Sequence, residues 1–219
     1  KKMIEVVEGR GDIVGPMVRG PWSLPDDELM KRPGYKGVTA QDVEKAKALL
    51  AEAGYPRGFS AEIMSNNIYT NQATLVQSQL KSIGLDVTIK MLDTPTLERR
   101  FLAKDFSLSL YLPGHPIDEP DLFLSFWVTG GGRNYGGVSD KEVDLLYEQQ
   151  SREMDVAKRK DLVLRAQRKI LDLAGSPVLY HHLYETAYWK CVKGYYPEKR
   201  IAGHNDVKRQ DVWLDDGCR

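Results

Sequence analysis

Cysteine is nearly missing from this sequence, with two in 219 residues. Two thiols cannot build a disulfide framework or a cysteine-rich zinc site. An excess of one charge is missing as well, because 31 basic residues balance 31 acidic ones. A binder of nucleic acid or anionic membrane would show a basic excess or stripe, so no nucleic-acid partner is expected. Long apolar runs are also absent. The longest stretch without a charge, Ile63 to Leu80, carries Ser65, Asn66, Asn67, Thr70, Asn71, Gln72, Gln77 and Gln79. A membrane-spanning helix needs roughly 20 mostly apolar residues, and this stretch is too polar. The opening Lys1-Lys2-Met3-Ile4-Glu5 is neither a signal peptide nor an initiator methionine, and reads as a chain cut from something longer.

What is present is globular: 42% hydrophobic and 28% charged residues. At about 150 residues per domain this is one large domain or two small ones. Residues 1–40 are rich in breakers, among them Gly9, Gly11, Pro16, Pro21, Pro25 and Pro33. They predict a short helix near Lys2 to Glu8, then an extended covering segment with little core of its own. From Thr39 the pattern sharpens. Thr39-Ala40-Gln41-Asp42 is a capping signal, Val43, Ala46, Leu50 and Ala53 follow at helical spacing, and Gly54 supplies a left-handed stop.

Phe59, Ala61 and Ile63 alternate as a strand does. Ala73, Val76, Leu80 and Ile83 share a helical face, and Leu85, Val87, Ile89 and Met91 alternate again. Thr94-Pro95 reads as a cap plus a first-turn proline ahead of Leu97 and Phe101, and Phe106, Leu108 and Leu110 predict a third strand. Two crossovers of this size favour parallel neighbours, so the class is α/β. Further on, an aromatic turn covers Leu122 to Trp127 and a glycine-rich loop spans Gly130 to Gly137. A helix capped near Ser139 shows Val143, Leu146 and Gln150, and a longer one runs from Val156 to Ala174, ended by Gly175. Pro177 to Tyr184, Thr186 to Val192 and Val207 to Leu214 read as strands.

No catalytic constellation emerges. There is no G-x-S-x-G elbow, since Gly58-Phe59-Ser60 lacks the second glycine, and no phosphate-binding G-x-x-x-x-G-K-[ST]. Gly130-Gly131-Gly132 reads as a surface turn. His181 and His182 are adjacent, so on a strand they face opposite ways and cannot chelate together; His115 and His204 stand alone. No metal and no cofactor is expected. The acidic run Asp118-Glu119-Pro120-Asp121 has two readings, a cap at a helix start or a ligand contact. Cys191 and Cys218 can pair only in an extracytoplasmic setting, and the sequence leaves that open. In open α/β sheets ligands bind beyond the carboxyl ends of parallel strands. Those ends lead into Ser65-Asn66-Asn67-Ile68-Tyr69, Leu92-Asp93 and Tyr111-Leu112-Pro113-Gly114-His115-Pro116, amide and aromatic groups suited to a small polar solute with apolar parts.

The order of motifs resembles a known family. Val43-Glu44-Lys45-Ala46-Lys47-Ala48-Leu49-Leu50-Ala51-Glu52-Ala53-Gly54-Tyr55 with Gly58-Phe59 is similar to its signature helix and turn. Gln79-Leu80-Lys81-Ser82-Ile83-Gly84-Leu85-Asp86-Val87, Glu119-Pro120-Asp121-Leu122-Phe123-Leu124, Asn134-Tyr135-Gly136, Glu142-Val143-Asp144-Leu145-Leu146, Ala166-Gln167-Arg168-Lys169-Ile170-Leu171 and Val192-Lys193-Gly194-Tyr195 follow in the family's order. The family is the family 5 extracellular solute-binding proteins, the peptide and nickel class serving ABC importers.

The resemblance implies a periplasmic-binding-protein-like (type II) lobe with a mixed, mainly parallel sheet flanked by helices. Its expected parts are a lead-in at 1–40, a C-terminal α/β lobe at 41–214 and a tail at 215–219. It also implies a missing N-terminal lobe, a peptide or other small solute, an ABC permease as membrane partner, and a periplasmic or lipid-anchored location. Peptide-binding members commonly read G-W-x-x-D-x-x-D-P after the third strand, the first Asp holding the ligand's ammonium. Here the corresponding positions fall on Gly114 or Pro116, so a peptide held by its amino terminus is not expected; His115 or Asp118 are the substitutes, and Tyr111 stands where the family tends to place Trp. The candidate ligand-binding residues are Asn66, Asn67, Tyr69, Tyr111, His115, Asp118, Arg133, Asn134 and Tyr135. Two other readings are a solute-sensing lobe that signals to a membrane partner, and a hydrolase using Asp118 with Glu119 or His115.

Overall fold

The computed structural model describes residues 2–9, 11–110, 119–182, 187–195 and 211–218. Three strands form an all-parallel sheet: β1 (Ser60–Ser65) in the centre, β2 (Asp86–Met91) on one side and β3 (Leu108–Ser109) on the other. Ser60 lies opposite Asp86 and Ile63 opposite Leu108. The described sheet is purely parallel. The antiparallel pairing expected of a mixed sheet occurs apart from it, in a ribbon of β4 (Val192–Lys193) and β5 (Trp213–Leu214).

Helices cover both faces of the three-stranded sheet. Successive side chains of a strand point to opposite faces. Ile63 packs with Leu85 and Val87 under Leu50 of α2 (Ala40–Glu52) and Val76 and Leu80 of α3 (Thr70–Lys81). Met64, one residue on, packs with Leu97 and Phe101 of α4 (Thr94–Ala103). Burial on both faces explains why neighbouring positions of β1 are both apolar, as parallel sheets require. Phe59, assigned to the first strand, lies outside it and is 40% exposed, because the chain there is still turning into β1.

Local signals start and stop these helices. Thr39 accepts from the Asp42 amide while Asp42 accepts from the Thr39 amide, a reciprocal capping box. At α4 the cap is Asp93, whose carboxylate accepts from the Thr96 amide, and not Thr94; Pro95 remains in the first turn. The Asp93 carboxyl is held below its usual range chiefly by that backbone bond.

The remaining helices build a second apolar centre. α5 (Pro120–Leu124), α6 (Lys141–Arg152) and α7 (Val156–Leu173) bury Phe123, Leu124, Val143, Leu146, Val163, Ala166 and Ile170. The lead-in contributes Met17 and Val18 to this centre, and its Val14, Leu24 and Leu29 form a cluster against Leu164 and Leu171 of α7. Its short helix α1 (Asp26–Leu29) is tied down by Arg168, which donates through two nitrogens to Glu28 at 2.8 Å each. Residues 14–29 thus pack against α7, and the chain's start carries a π-helical turn at Ile4–Glu8.

Three local expectations are corrected. α7 ends on Ala174, itself in the left-handed region, and not on Gly175; a side chain at Gly175 would press on Val138 at 3.0 Å. α6 is capped by Asp140, which accepts from the Glu142 and Val143 amides, and not by Ser139. The long strands expected after Pro177 are reduced, among the described residues, to a bridge between His181 and Asp12 and to the ribbon. Of those predicted strands, residues 183, 184, 186 and 207–210 lie outside the described residues.

Candidate functional site

The carboxyl ends of the parallel strands meet a set of polar loops. At the end of β1, Ser65 and the following Asn66 are buried while Asn67 is exposed. Asn66 Oδ1 accepts from the Ile68 amide at 3.1 Å, and Asn66 Nδ2 donates to Thr94 Oγ1 at 3.4 Å. Asn66 therefore starts the 3-10 turn Asn67–Tyr69 and ties it to the first residue of α4. Asn67 and the half-buried Tyr69 are left on the outer side of that turn.

The glycine-rich loop reaches the α4 side of the sheet through Tyr135. Asn134 is 1% exposed, and its amide donates to the carbonyls of Val128 and Val138 and accepts from the Val138 amide. With those bonds made inside the loop, Asn134 shapes it and presents its neighbours. Tyr135 packs on the Met64–Leu97–Phe101 cluster, its ring 5.8 Å from Phe101 and 6.4 Å from Phe126. The Arg133 guanidinium sits 5.1 Å over the Phe126 ring. Arg133 and Tyr135 are thus brought to the α4 face of the sheet. Tyr111, His115 and Asp118 lie outside the described residues.

Glu119 and Asp121 of the acidic run bond side chains of α6 and α7. Glu119 stands at the helix start of α5 but makes no side-chain cap bond. Arg159 of α7 donates to Glu119 instead, and Gln150 and Ser151 of α6 both donate to Asp121. Arg159 also donates through Nε to Gln150 at 3.2 Å and lies 5.2 Å over the Trp22 ring. The carboxylates that follow the third-strand loop are consumed by a cross-link among three helices and the lead-in.

A second polar cluster beside Tyr69 was not legible in the sequence. Tyr180 donates to Glu8 at 2.7 Å, Gln72 of α3 donates to the same oxygen, and His182 Nδ1 lies 3.2 Å from the other. Its members are 64 and 172 residues apart, so no local signal could have found them. Burial first, then the bond to Glu8, pushes the Tyr180 phenol well up. His181 points elsewhere: it is 8% exposed, with Nε2 3.1 Å from the Gly15 carbonyl, so the adjacent histidines do serve separate partners. A shallow concavity of about 920 Å³ lies between α6 and α7, lined by Leu145, Arg152, Lys158 and Leu162; it shares no residue with the strand-end loops.

Comparisons with known proteins bear on the fold and the family. The model of the bacterial extracellular solute-binding proteins, family 5 Middle, matches residues 1–135. An uncharacterized protein of Sinorhizobium fredii is 28% identical over 174 residues, covering 74% of this chain and 24% of its own length. Among solved structures, the periplasmic binding protein DppA of Helicobacter pylori, in complex with the peptide STSA, aligns at a TM-score of 0.70 and 24% identity. It covers 97% of this chain, which spans 41% of it. A dipeptide binding protein of Pseudoalteromonas, in complex with Met-Leu, aligns at a TM-score of 0.73 and 22% identity, with 98% and 42% covered. These likenesses show a periplasmic-binding-protein fold, of which the chain spans about two fifths. With the family model matching well over half its length, the chain belongs to the bacterial extracellular solute-binding proteins of family 5.

Proposed function

We propose that the chain is a ligand-binding lobe of an extracytoplasmic solute-binding protein that delivers a peptide or other small polar solute to an ABC importer. The observation that supports this reading is the polar turn Asn67–Tyr69 directly after the carboxyl end of the central parallel strand β1, where open α/β sheets take ligands, with Arg133 and Tyr135 proposed to join it from the glycine-rich loop. Asn66 and Asn134 hold the two loops in shape, and Tyr111, His115 and Asp118 are further proposed ligand-binding residues. The reading is non-catalytic, with a second lobe enclosing the solute and a membrane permease receiving it. Its location is periplasmic or lipid-anchored.

The test is calorimetry on the complete polypeptide with panels of peptides, opines and sugar conjugates. Binding is expected in at least one class. Asn67→Ala should then weaken it about tenfold, roughly 1.4 kcal/mol, with thermal stability unchanged. A folded polypeptide that binds none of these classes refutes the proposal. Chain 1–219 alone should bind the same solute more weakly, since half of the enclosing surface is absent; equal affinity would count against enclosure between lobes.

A further inference from the structure

The turn Asn67–Tyr69, which leads from β1 into α3, has no core of its own. None of its residues is buried, Ile68 is 65% exposed, and a 3-10 turn of three residues has poor hydrogen-bond geometry. Its place is therefore set by polar ties at its two ends. At the first, Asn66 Nδ2 donates to Thr94 Oγ1 of α4. At the second, Thr70 Oγ1 donates back to the Asn67 carbonyl at 3.1 Å, and Gln72, in the same first turn of α3, donates to Glu8.

Glu8 stands in a frame outside the three-stranded sheet. It is the last residue of the π-helical turn, which Gly9 closes by donating its amide to the Ile4 carbonyl at 2.7 Å. Asp12 and His181 exchange two backbone hydrogen bonds of 2.8 Å, which fixes residues 180–182 against the lead-in. Gly11 permits that approach, since a Cβ there would meet Ile4 at 2.9 Å and the Tyr180 ring at 3.2 Å. The Glu8 side chain is only 10% exposed. One of its oxygens accepts from both Tyr180 and Gln72, and the other faces His182 Nδ1. A carboxylate accepts at both oxygens, and its bonds are about twice as strong as those between neutral groups. Among the described residues Gln72 Oε1 is buried with no hydrogen-bond partner, so the amide is held through its nitrogen.

We propose that Glu8 is a positioning residue for the solute site: through Gln72 it clamps the turn that presents Asn67 and Tyr69 at the end of β1. Both Glu8 oxygens are engaged by protein groups, so Glu8 acts through Gln72 and not by touching the solute. The inference rests on the proposed solute-binding reading and adds the residue, remote in sequence, that holds one wall of that site.

The test is hydrogen exchange by mass spectrometry on the complete polypeptide, with calorimetry against the panels of peptides, opines and sugar conjugates alongside. Gln72→Glu sets a carboxylate against Glu8. Exchange at the Ile68 and Tyr69 amides, both bonded to Asn66, should rise at least about tenfold, the scale of one charge-assisted hydrogen bond, with Ile63 in β1 unchanged. Affinity for the panel member that the parent binds most tightly should fall by a similar factor. Adding Glu8→Gln restores one carboxylate facing one amide, and both readings should return to within about threefold of the parent. Gln72→Ala, which cuts the tie without adding a charge, should give a smaller rise at the same two amides.

Unchanged exchange at the turn in Gln72→Glu and Gln72→Ala overturns the proposal. So does faster exchange that extends equally to Ile63, which would make the pair a general prop of the fold, and so does a double variant that fails to recover. A loosened turn with unchanged affinity also overturns it. A parent protein that binds no panel member refutes the transport reading; exchange at Ile68 and Tyr69 then decides by itself whether Glu8 sets the turn.

Discussion

Gly58 offers a test of how the sheet is aligned. It precedes β1 with φ +72°, and the chain there runs against the backbone of Gly84, just before β2. A Cβ on Gly58 would be driven into the Gly84 carbonyl oxygen and lie 2.5 Å from its carbon, closer than real Cβ atoms come. Beside this contact the Asp86 amide donates to the Phe59 carbonyl at 3.0 Å, which begins the β1–β2 register.

Gly58→Ala should incur two costs. Holding alanine in the left-handed region costs about 1–2 kcal/mol. Forcing two backbones apart is overpacking and costs about 1–3 kcal/mol more. The total of about 2–5 kcal/mol, at an m-value of about 3 kcal/mol/M, lowers the urea midpoint by about 0.7–1.7 M. Gly54 is the control, with φ +91° and nothing within 4 Å of an added Cβ. Gly54→Ala should show only the conformational cost of about 1–2 kcal/mol. Urea unfolding followed by circular dichroism reads both, and equal midpoints for the two variants would refute the contact argument.

Three further outcomes follow from the same geometry. Burial, outweighing the Gly15 carbonyl and Asp12, lowers the His181 pKa from its ordinary 6.5. The unfolded chain therefore takes up a proton first, so stability is full above pH 6.5 and is lost as pH falls from there toward the lowered folded value. Melting curves at successive pH values should show this decline, and His181→Gln should flatten it; an unchanged slope would sink the assignment. Arg159→Met strands Glu119 and Gln150 without their donor and should cost about 1–3 kcal/mol, discounted from a fully buried pair because Arg159 is partly exposed. A melting temperature equal to that of the parent protein would show the cross-link to be idle. Reducing Cys191–Cys218 frees a loop of 27 residues and should destabilise the ribbon by about 3.5 kcal/mol, seen as faster amide exchange at Val192 and Leu214 with β1 unchanged. Global loss of protection on reduction would contradict this.

Local order was legible wherever the signal and its partner lay within a turn of each other. The Thr39–Asp42 box, Gly54 after α2, and the Val143, Leu146, Gln150 face of α6 could be read directly, because capping and helical periodicity act over three or four residues. The alternation of strands and helices from Ser60 to Ser109 likewise implied parallel pairing. Where two local signals competed, the choice went to packing. Asp93 displaced Thr94 as a cap, and Ala174 took the left-handed position that Gly175 suggested, while Gly175 lies against Val138.

By itself, then, the sequence determined the α/β class, the parallel central unit and, through its ordered motifs, the family. The partners of its charged and polar groups were decided only by the tertiary structure. Glu119 and Asp121 looked like caps, but α5 is one short turn beside α7, and Arg159 reaches them from 40 and 38 residues away. Glu8 meets Tyr180 across 172 residues, and the two cysteines meet across 27. Such pairs follow from how elements stack. The free energy that selects the stacking belongs to Ile63, Met64, Leu97 and Phe123 in the buried clusters, and leaves no mark at the polar residues it brings together.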